Sequence, residues 1–426
     1  MKFAIHTLGC KVNQYESSAL SDLLISKGYT YTDNSIEADI YIINSCTVTE
    51  NSDKKAKQAV SHYKRSKPEG IAVLTGCYPQ AFPDEAEKSG ADIITGAAER
   101  NKIPERIEQF LQKGARISAV TPQTNTYEEF ASANTGKTRA FVKIEDGCDR
   151  FCSYCIIPYA RGRVRSRSLE DVNKEVRQQA LAGHKEAVLV GINLSCYGKD
   201  IGLTLADAVE TACSVDGIER VRLSSLEPEL LTPEIIARLA AQPKLCPNFH
   251  LSLQSGCDET LKRMNRHYTT KEYAEIVDNL RKAFPNCAIT TDVMVGFAGE
   301  TEEEFSRSLD FVNKIGFSQI HVFTYSIRKG TAAADRTDHV APQIKAERYK
   351  KMVALGENLR QKFLNSQLDT VQKVLIQKRT SKDFANGLTG NYTSVKIYNS
   401  SAKKHDIVTV RLKKVENGFC VGEEVK

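Results

Sequence analysis

Short apolar runs of strand length alternate with longer amphipathic stretches through the first part of the chain. Residues 3–9, 39–45 and 71–76 are the clearest runs, and each ends at a cysteine: Cys10, Cys46 and Cys77. Between them, residues 15–27 and 53–64 have helical character. Strand and helix in alternation predict a doubly wound parallel α/β domain over residues 1–120. The carboxyl ends of such strands share one edge, where ligands bind, so the three cysteines are expected to converge despite gaps of 36 and 31 residues. Any one alone reads as a buried core thiol. Three at equivalent strand ends read as a shared metal site.

Residues 121–138 turn polar and rich in Thr, Ser, Asn, Gly and Pro, which marks a linker. A second alternation follows, with strand candidates at 141–144, 186–190, 220–223, 250–253, 290–295 and 319–324 and helical stretches such as 169–182 and 271–282. Six such units predict a partial (β/α)6 barrel over residues 139–363. A helix over 343–363 closes it, with Gly356 as its weak point. Polar residues follow the strands: Gly191 and Asn193, Ser224 and Glu227, Gln254 and Ser255, Asp292 and Gly296, then Phe323 and Tyr325. Singly these residue types are ordinary caps and turn formers. On one shared rim they suit a nucleoside and an amino acid, and Gly191 and Gly296 let the backbone approach a ligand.

The remaining residues, 364–426, read as short strands at 371–377, 392–398, 406–412 and 419–422, with Asn386-Gly387 and Asn417-Gly418 as turn signals. The expectation is a small antiparallel β-barrel, OB-like. This segment holds 11 Lys+Arg against 6 Asp+Glu, so +5 of the chain's formal +6 lies here. Localised positive charge on a small barrel is the footprint of a nucleic-acid module; a solvated basic face is the bland alternative. Arg161, Arg163 and Arg165 alternate farther up the chain and extend the basic track on this reading.

The sharpest chemical signal is Cys148, Cys152 and Cys155 in GCDRFCSYC, in the loop after the first barrel strand. Three thiolates are one fewer than a closed 4Fe-4S cubane needs. The open iron can hold S-adenosylmethionine (SAM) by its amino and carboxylate groups, so that an electron from the cluster cleaves the sulfonium. Zinc normally closes with a fourth Cys or His at short spacing, which this run lacks. Tyr154 supplies an aromatic between the last two ligands.

Composition narrows the setting. A chain of 426 residues, 41% hydrophobic, buries a large core in about three domains. No run reads as a membrane span or signal peptide. Twelve cysteines at irregular spacing suit a reducing cytoplasm, with Cys196, Cys213, Cys246, Cys257, Cys287 and Cys420 as ordinary buried or loop thiols. A monomer is expected.

The runs TLGCKVNQYE (7–16), NSCTVT (44–49), TGC (75–77) and GCDRFCSYCIIPYARG (147–162) together resemble the radical-SAM methylthiotransferases, and the resemblance extends over all three domains, the last corresponding to a TRAM domain. Ser45 and Ala298 depart from the commoner Thr and Pro without removing a ligand. The resemblance implies two 4Fe-4S clusters, an auxiliary one on Cys10, Cys46 and Cys77 and a radical-SAM one on Cys148, Cys152 and Cys155. It also implies two SAM per turnover, one as methyl donor and one as radical source, an external electron donor and sulfur source, and the tRNA anticodon stem-loop as partner. Lys11-Val12-Asn13-Gln14 after the first cysteine resembles the branch that converts N6-threonylcarbamoyladenosine at tRNA position 37 to its 2-methylthio form. Sister branches act on isopentenyladenosine or on a ribosomal-protein aspartate. Asn13 and Gln14 are candidate adenine contacts, with a local capping role as the alternative.

Overall fold

The computed structural model describes residues 1–131, 137–379 and 384–425. Its N-terminal sheet is parallel throughout, with β1 (Lys2–Thr7), β2 (Thr30–Tyr31), β3 (Ile40–Ser45), β4 (Ile71–Gly76), β5 (Ile93–Thr95) and β6 (Ile117–Ala119) in the order β2-β1-β3-β4-β5-β6. Alternate side chains leave a strand on opposite faces. Accordingly Ile40, Ile42, Ile71 and Val73 pack with Leu20 and Leu24 of α1 (Lys11–Ser26), while Ile43, Ala72 and Leu74 pack with Ala56 and Val60 of α2 (Glu50–Ser66). Burial on both faces explains why these strands are apolar runs.

The six barrel strands form one arc rather than a closed ring. β7 (Ala140–Lys143), β10 (Glu186–Val190) and β11 (Arg220–Leu223) pair in parallel, and β12 (Ser225–Leu226), β13 (Asn248–Leu251), β14 (Ala288–Val295) and β15 (Gln319–Thr324) continue it. The third strand breaks at Ser224, so its first half pairs back to β10 and its second half forward to β13. β8 (Glu145–Asp146) and β9 (Arg165–Ser166) pair antiparallel and close the base of the cysteine loop. The helix expected at 343–363 runs Pro342–Ser366, unbroken by Gly356, which faces Ile320 of β15.

The last domain is a closed five-stranded barrel of β16 (Val371–Arg379), β17 (Phe384–Thr389), β18 (Ser394–Tyr398), β19 (Ile407–Glu416) and β20 (Phe419–Glu424). Its pairs are antiparallel except β18 with β20, which is parallel. Asn417-Gly418 makes the expected hairpin turn, both with positive φ. Asn386-Gly387 does not: both lie inside β17, where a Cβ on Gly387 would come 2.5 Å from Val374 Cγ1. That glycine serves close packing. Arg220 and Arg222 hold the barrel in place by donating to the carbonyls of Leu388, Gly390 and Thr389 at 3.0, 2.9 and 3.2 Å. Among the described residues no helix is long and apolar enough to cross a membrane.

Candidate active site

The three strand-end cysteines do converge. Cys10 caps α1, Cys46 follows β3, and Cys77 opens α3 (Cys77–Ala81) after β4. Two glycines permit the approach: Gly9 has φ +106 and a Cβ there would lie 2.6 Å from Cys46 Cβ, and Gly76 has φ +100 with Ser45 O at 2.5 Å. Cys46 and Cys77 are buried and Cys10 is exposed. Burial first, then the Cys77 and Cys10 thiols nearby, push the Cys46 thiol up to about 12, and burial likewise raises Cys77. Thiols in such a place become thiolates when a cation compensates them, which suits metal ligation.

The second triad lies on the loop closed by β8 and β9. Gly147 precedes it with φ +91, and a Cβ there would stand 1.9 Å from Arg163 O. A Gly147→Ala variant is therefore expected to displace this loop, and iron and sulfide content after reconstitution measures the loss. Cys148 accepts from the Asn193 amide at 3.5 Å and Cys152 from Arg266 at 3.3 Å. Burial pushes Cys148 and Cys155 to about 12. Among the described residues no three His, Cys, Asp or Glu side chains gather around a point suited to one metal ion. A cubane sets a different requirement, with each thiolate on its own iron, and exposed ligand edges fringed by N–H donors meet its chemistry.

Around this loop, buried Asn193 Oδ1, Ser224 Oγ, Tyr325 Oη and Glu145 Oε1 have no hydrogen-bond partner. They follow four different barrel strands, as the rim of a polar ligand site should. Glu145 is fully buried, and burial drives its carboxyl well above the usual range while Oε2 accepts from the Asn193 N–H at 2.8 Å. It also explains Gly191, whose Cβ would lie 2.5 Å from Glu145 Oε2. Tyr154 and Tyr325 pack against Phe297. Glu227 is paired to Arg266, at 3.2 Å through one oxygen. Gln254 extends the pairing with β14, Asp292 meets His250 at 3.3 Å, and Gly296 donates its N–H to Glu300 at 2.6 Å. Phe323 is half-exposed on the free edge strand β15. Ser255 departs from expectation: it is fully buried and its hydroxyl accepts from the Cys257 N–H at 3.3 Å, so its own turn uses it.

Three further expectations, for Arg161, Arg165 and Asn13, need correction. Arg161 and Arg165 are buried, not part of a surface track. Arg161 ends α6 (Ile157–Arg161), just after Cys155, and donates to Cys77 Sγ at 3.1 Å, to Glu16 at 2.6 Å and to Asn13 Oδ1 at 2.6 Å. Arg165 donates to the carbonyls of Arg161 and Arg163 at 2.9 and 3.1 Å. Asn13 is buried, its amide bonded to Leu8 O and Ser45 O at 2.8 and 3.0 Å, so it ties the Cys10 and Cys46 loops together. Gln14 accepts from Lys137. Only Arg163 stays exposed, over the Phe151 ring. The parts played by Arg266, Glu145, Asp146 and Glu16 escaped the sequence reading, although Glu16 ends one of its motifs and the Glu145-Asp146 pair adjoins another.

Residues 142–312 match the radical SAM superfamily and residues 2–96 match a family described as uncharacterized protein family UPF0004. The chain is 38% identical, over 99% of its length and 96% of the relative's, to the threonylcarbamoyladenosine tRNA methylthiotransferase MtaB of Bacillus subtilis. The chain belongs to the radical-SAM methylthiotransferase family. This methylthiotransferase is also 35% identical to the protein of the same name from Thermotoga maritima, over 97% of both chains. It is 35% identical to the tRNA-2-methylthio-N(6)-dimethylallyladenosine synthase of Clostridium botulinum strain Loch Maree, over all of this chain and 97% of the relative. Among solved structures, the radical SAM methyltransferase TsrM of Kitasatospora setae matches 78% of this chain and 74% of its own with a TM-score of 0.57 at 14% identity, which supports the fold. Membership implies SAM and a 4Fe-4S cluster.

Proposed function

We propose that this methylthiotransferase converts N6-threonylcarbamoyladenosine at position 37 of tRNA to its 2-methylthio derivative, in the cytoplasm, with an external electron donor and sulfur source. The observation that carries the reading is the pair of cysteine triads joined through one residue: Arg161, on the helix that follows Cys155, bonds Cys77 of the other triad. On this reading Cys148, Cys152 and Cys155 hold the radical-SAM cluster and Cys10, Cys46 and Cys77 an auxiliary one. When bound, these groups supply reductive SAM cleavage and a carrier for the sulfur, chemistry that an unactivated aromatic C–H requires because no side-chain base removes its proton usefully. The protein's part is positioning: Asn193 and Arg266 orient Cys148 and Cys152, and Arg161, Asn13 and Gly9 fix Cys77 and Cys10. The buried rim atoms of Asn193, Ser224 and Tyr325 take up the polar groups of SAM.

A groove of about 640 Å³ between Lys137–Phe141 and the C-terminal barrel suits the nucleic-acid backbone, lined by Lys137, Arg139, Lys378, Arg379 and Lys404. Gln at Lys378, Arg379 and Lys404 together is expected to weaken tRNA binding and flatten its salt dependence by roughly two to three in log–log slope, read by titration at several salt concentrations.

The deciding experiment is an anaerobic reaction of the iron-reconstituted enzyme with SAM, a reductant and tRNAs carrying threonylcarbamoyl- or isopentenyl-adenosine, followed by nucleoside mass spectrometry. A methylthio gain on the threonylcarbamoyl nucleoside alone supports the proposal. A gain on the isopentenyl nucleoside moves the enzyme to the sister branch, and SAM cleavage with no gain on either points to a protein substrate.

A further inference from the structure

Lys11 directly follows Cys10, and among the described residues its ammonium makes no ion pair. It lies within electrostatic reach of Arg139, Arg222 and the phenol of Tyr392. These groups come from all three domains. The arginines do not supply a counter-charge, and the carboxylate that serves them is already shared: Glu186 lies 3.9, 3.7 and 2.8 Å from Arg139, Arg220 and Arg222. Arg139 Nη1 is buried yet donates no hydrogen bond, while Nη2 reaches Tyr392 Oη at 3.3 Å. The guanidiniums of Arg139 and Arg222 both lie over the Tyr392 ring, at 5.2 and 4.8 Å from its centre. The cluster thus holds an excess of positive charge, an orphaned buried N–H and an unpaired ammonium, on the residue next to a cysteine of the auxiliary triad. The helix that begins at Lys11 adds no acidic residue in its first turn and no side-chain cap, so its own N–H groups also favour an anion. Arg139 also lines the basic groove, which places the cluster beside the surface assigned to the tRNA backbone.

We infer that Lys11, Arg139 and Tyr392 form the recognition site for the carboxylate of the substrate's threonyl group. This rests on the threonylcarbamoyladenosine reading above. An isopentenyl group is apolar and would leave the same cations unpaired, so the site selects by the cost of an uncompensated charge as much as by attraction to the right ligand.

The test uses the holoenzyme and full-length tRNA bearing either the free threonyl carboxylate or its methyl ester, with kcat and KM determined separately. Wild type is expected to prefer the free acid, and Lys11→Gln to lower that preference by about tenfold in kcat/KM, chiefly through KM. Lys11→Arg should keep the preference. The electron paramagnetic resonance spectra of the reduced clusters should be the same in all three proteins. An unchanged acid-over-ester ratio in Lys11→Gln overturns the assignment, as does an equal loss on both substrates with an altered spectrum, which would make Lys11 a counter-charge for Cys10. Wild type acting on isopentenyl tRNA alone would overturn the substrate reading itself, and the assignment with it.

Discussion

Alanine at Cys148, Cys152 and Cys155 is expected to abolish reductive cleavage of SAM, whereas alanine at Cys10, Cys46 and Cys77 spares cleavage and stops methylthio transfer. The asymmetry follows from where the triads stand. The first lies on the loop closed by β8 and β9, beside the unpartnered rim atoms Asn193 Oδ1 and Ser224 Oγ. The second lies at the edge of a separate sheet, whose core packs independently of the barrel core. Each triple variant should retain roughly half of the reconstituted iron, since each loses one of two four-iron sites. Quantifying 5′-deoxyadenosine and 2-methylthio nucleoside in parallel checks both arms. Intact cleavage after loss of the barrel triad would contradict the assignment.

Arg161→Met should destabilise the protein by about 3–5 kcal/mol, the cost of leaving buried charges unpaired. Arg161 is fully buried, as is Glu16, and they meet at 2.6 Å, with Asp146 at 3.4 Å from the same guanidinium. Burial alone raises the Glu16 carboxyl, but Arg100, Arg161 and Lys143 outweigh it and hold it at about 2; Asp146 is likewise held well below the usual carboxylate range by Lys143, Arg161 and Arg165. A carboxylate with a depressed folded pKa stabilises the fold above its unfolded value, about 4.3 for Glu, and loses that contribution as pH falls toward the folded value. Wild-type stability should therefore decline between about pH 4 and 2 from this network, while Arg161→Met, whose folded carboxylates are held down less, should show a smaller decline that is complete at higher pH. Denaturant midpoints at a series of pH values measure both effects. The auxiliary site should also change its spectrum, because the Nε bond to Cys77 is lost.

The cysteine geometry was legible because two strong signals coincide in it. Apolar runs buried on both faces are unmistakable as parallel strands, and the carboxyl-edge rule then places Cys10, Cys46 and Cys77 together whatever their spacing. Barrel strands such as β10 (Glu186–Val190) were legible for the same reason. Arg161, Arg165 and Asn13 were misread because polar residue types carry no mark of burial: three arginines alternating near a loop look like a basic track until Glu16 and Asp146 are seen to lie opposite. The pairing of Arg161 with Glu16 spans 145 positions, beyond any local pattern. Strand β17 was missed because Asn-Gly is a strong turn dipeptide, and here close packing against Val374 rather than a turn selects the glycine. The break at Ser224 is set by pairing to two different neighbours, β10 and β13, which the sequence of one strand does not reveal.

The C-terminal barrel is gripped by its main chain. Arg220 and Arg222 bind carbonyl oxygens of residues 388–390, groups that every amino acid possesses. Asn391 in the same turn adds to the grip by donating its amide to Asn286 O and Gln367 Oε1 at 3.1 and 2.9 Å. Sequence drift on the outer strands can therefore change the surface that the barrel presents, while its orientation, fixed at this turn, is inherited unchanged.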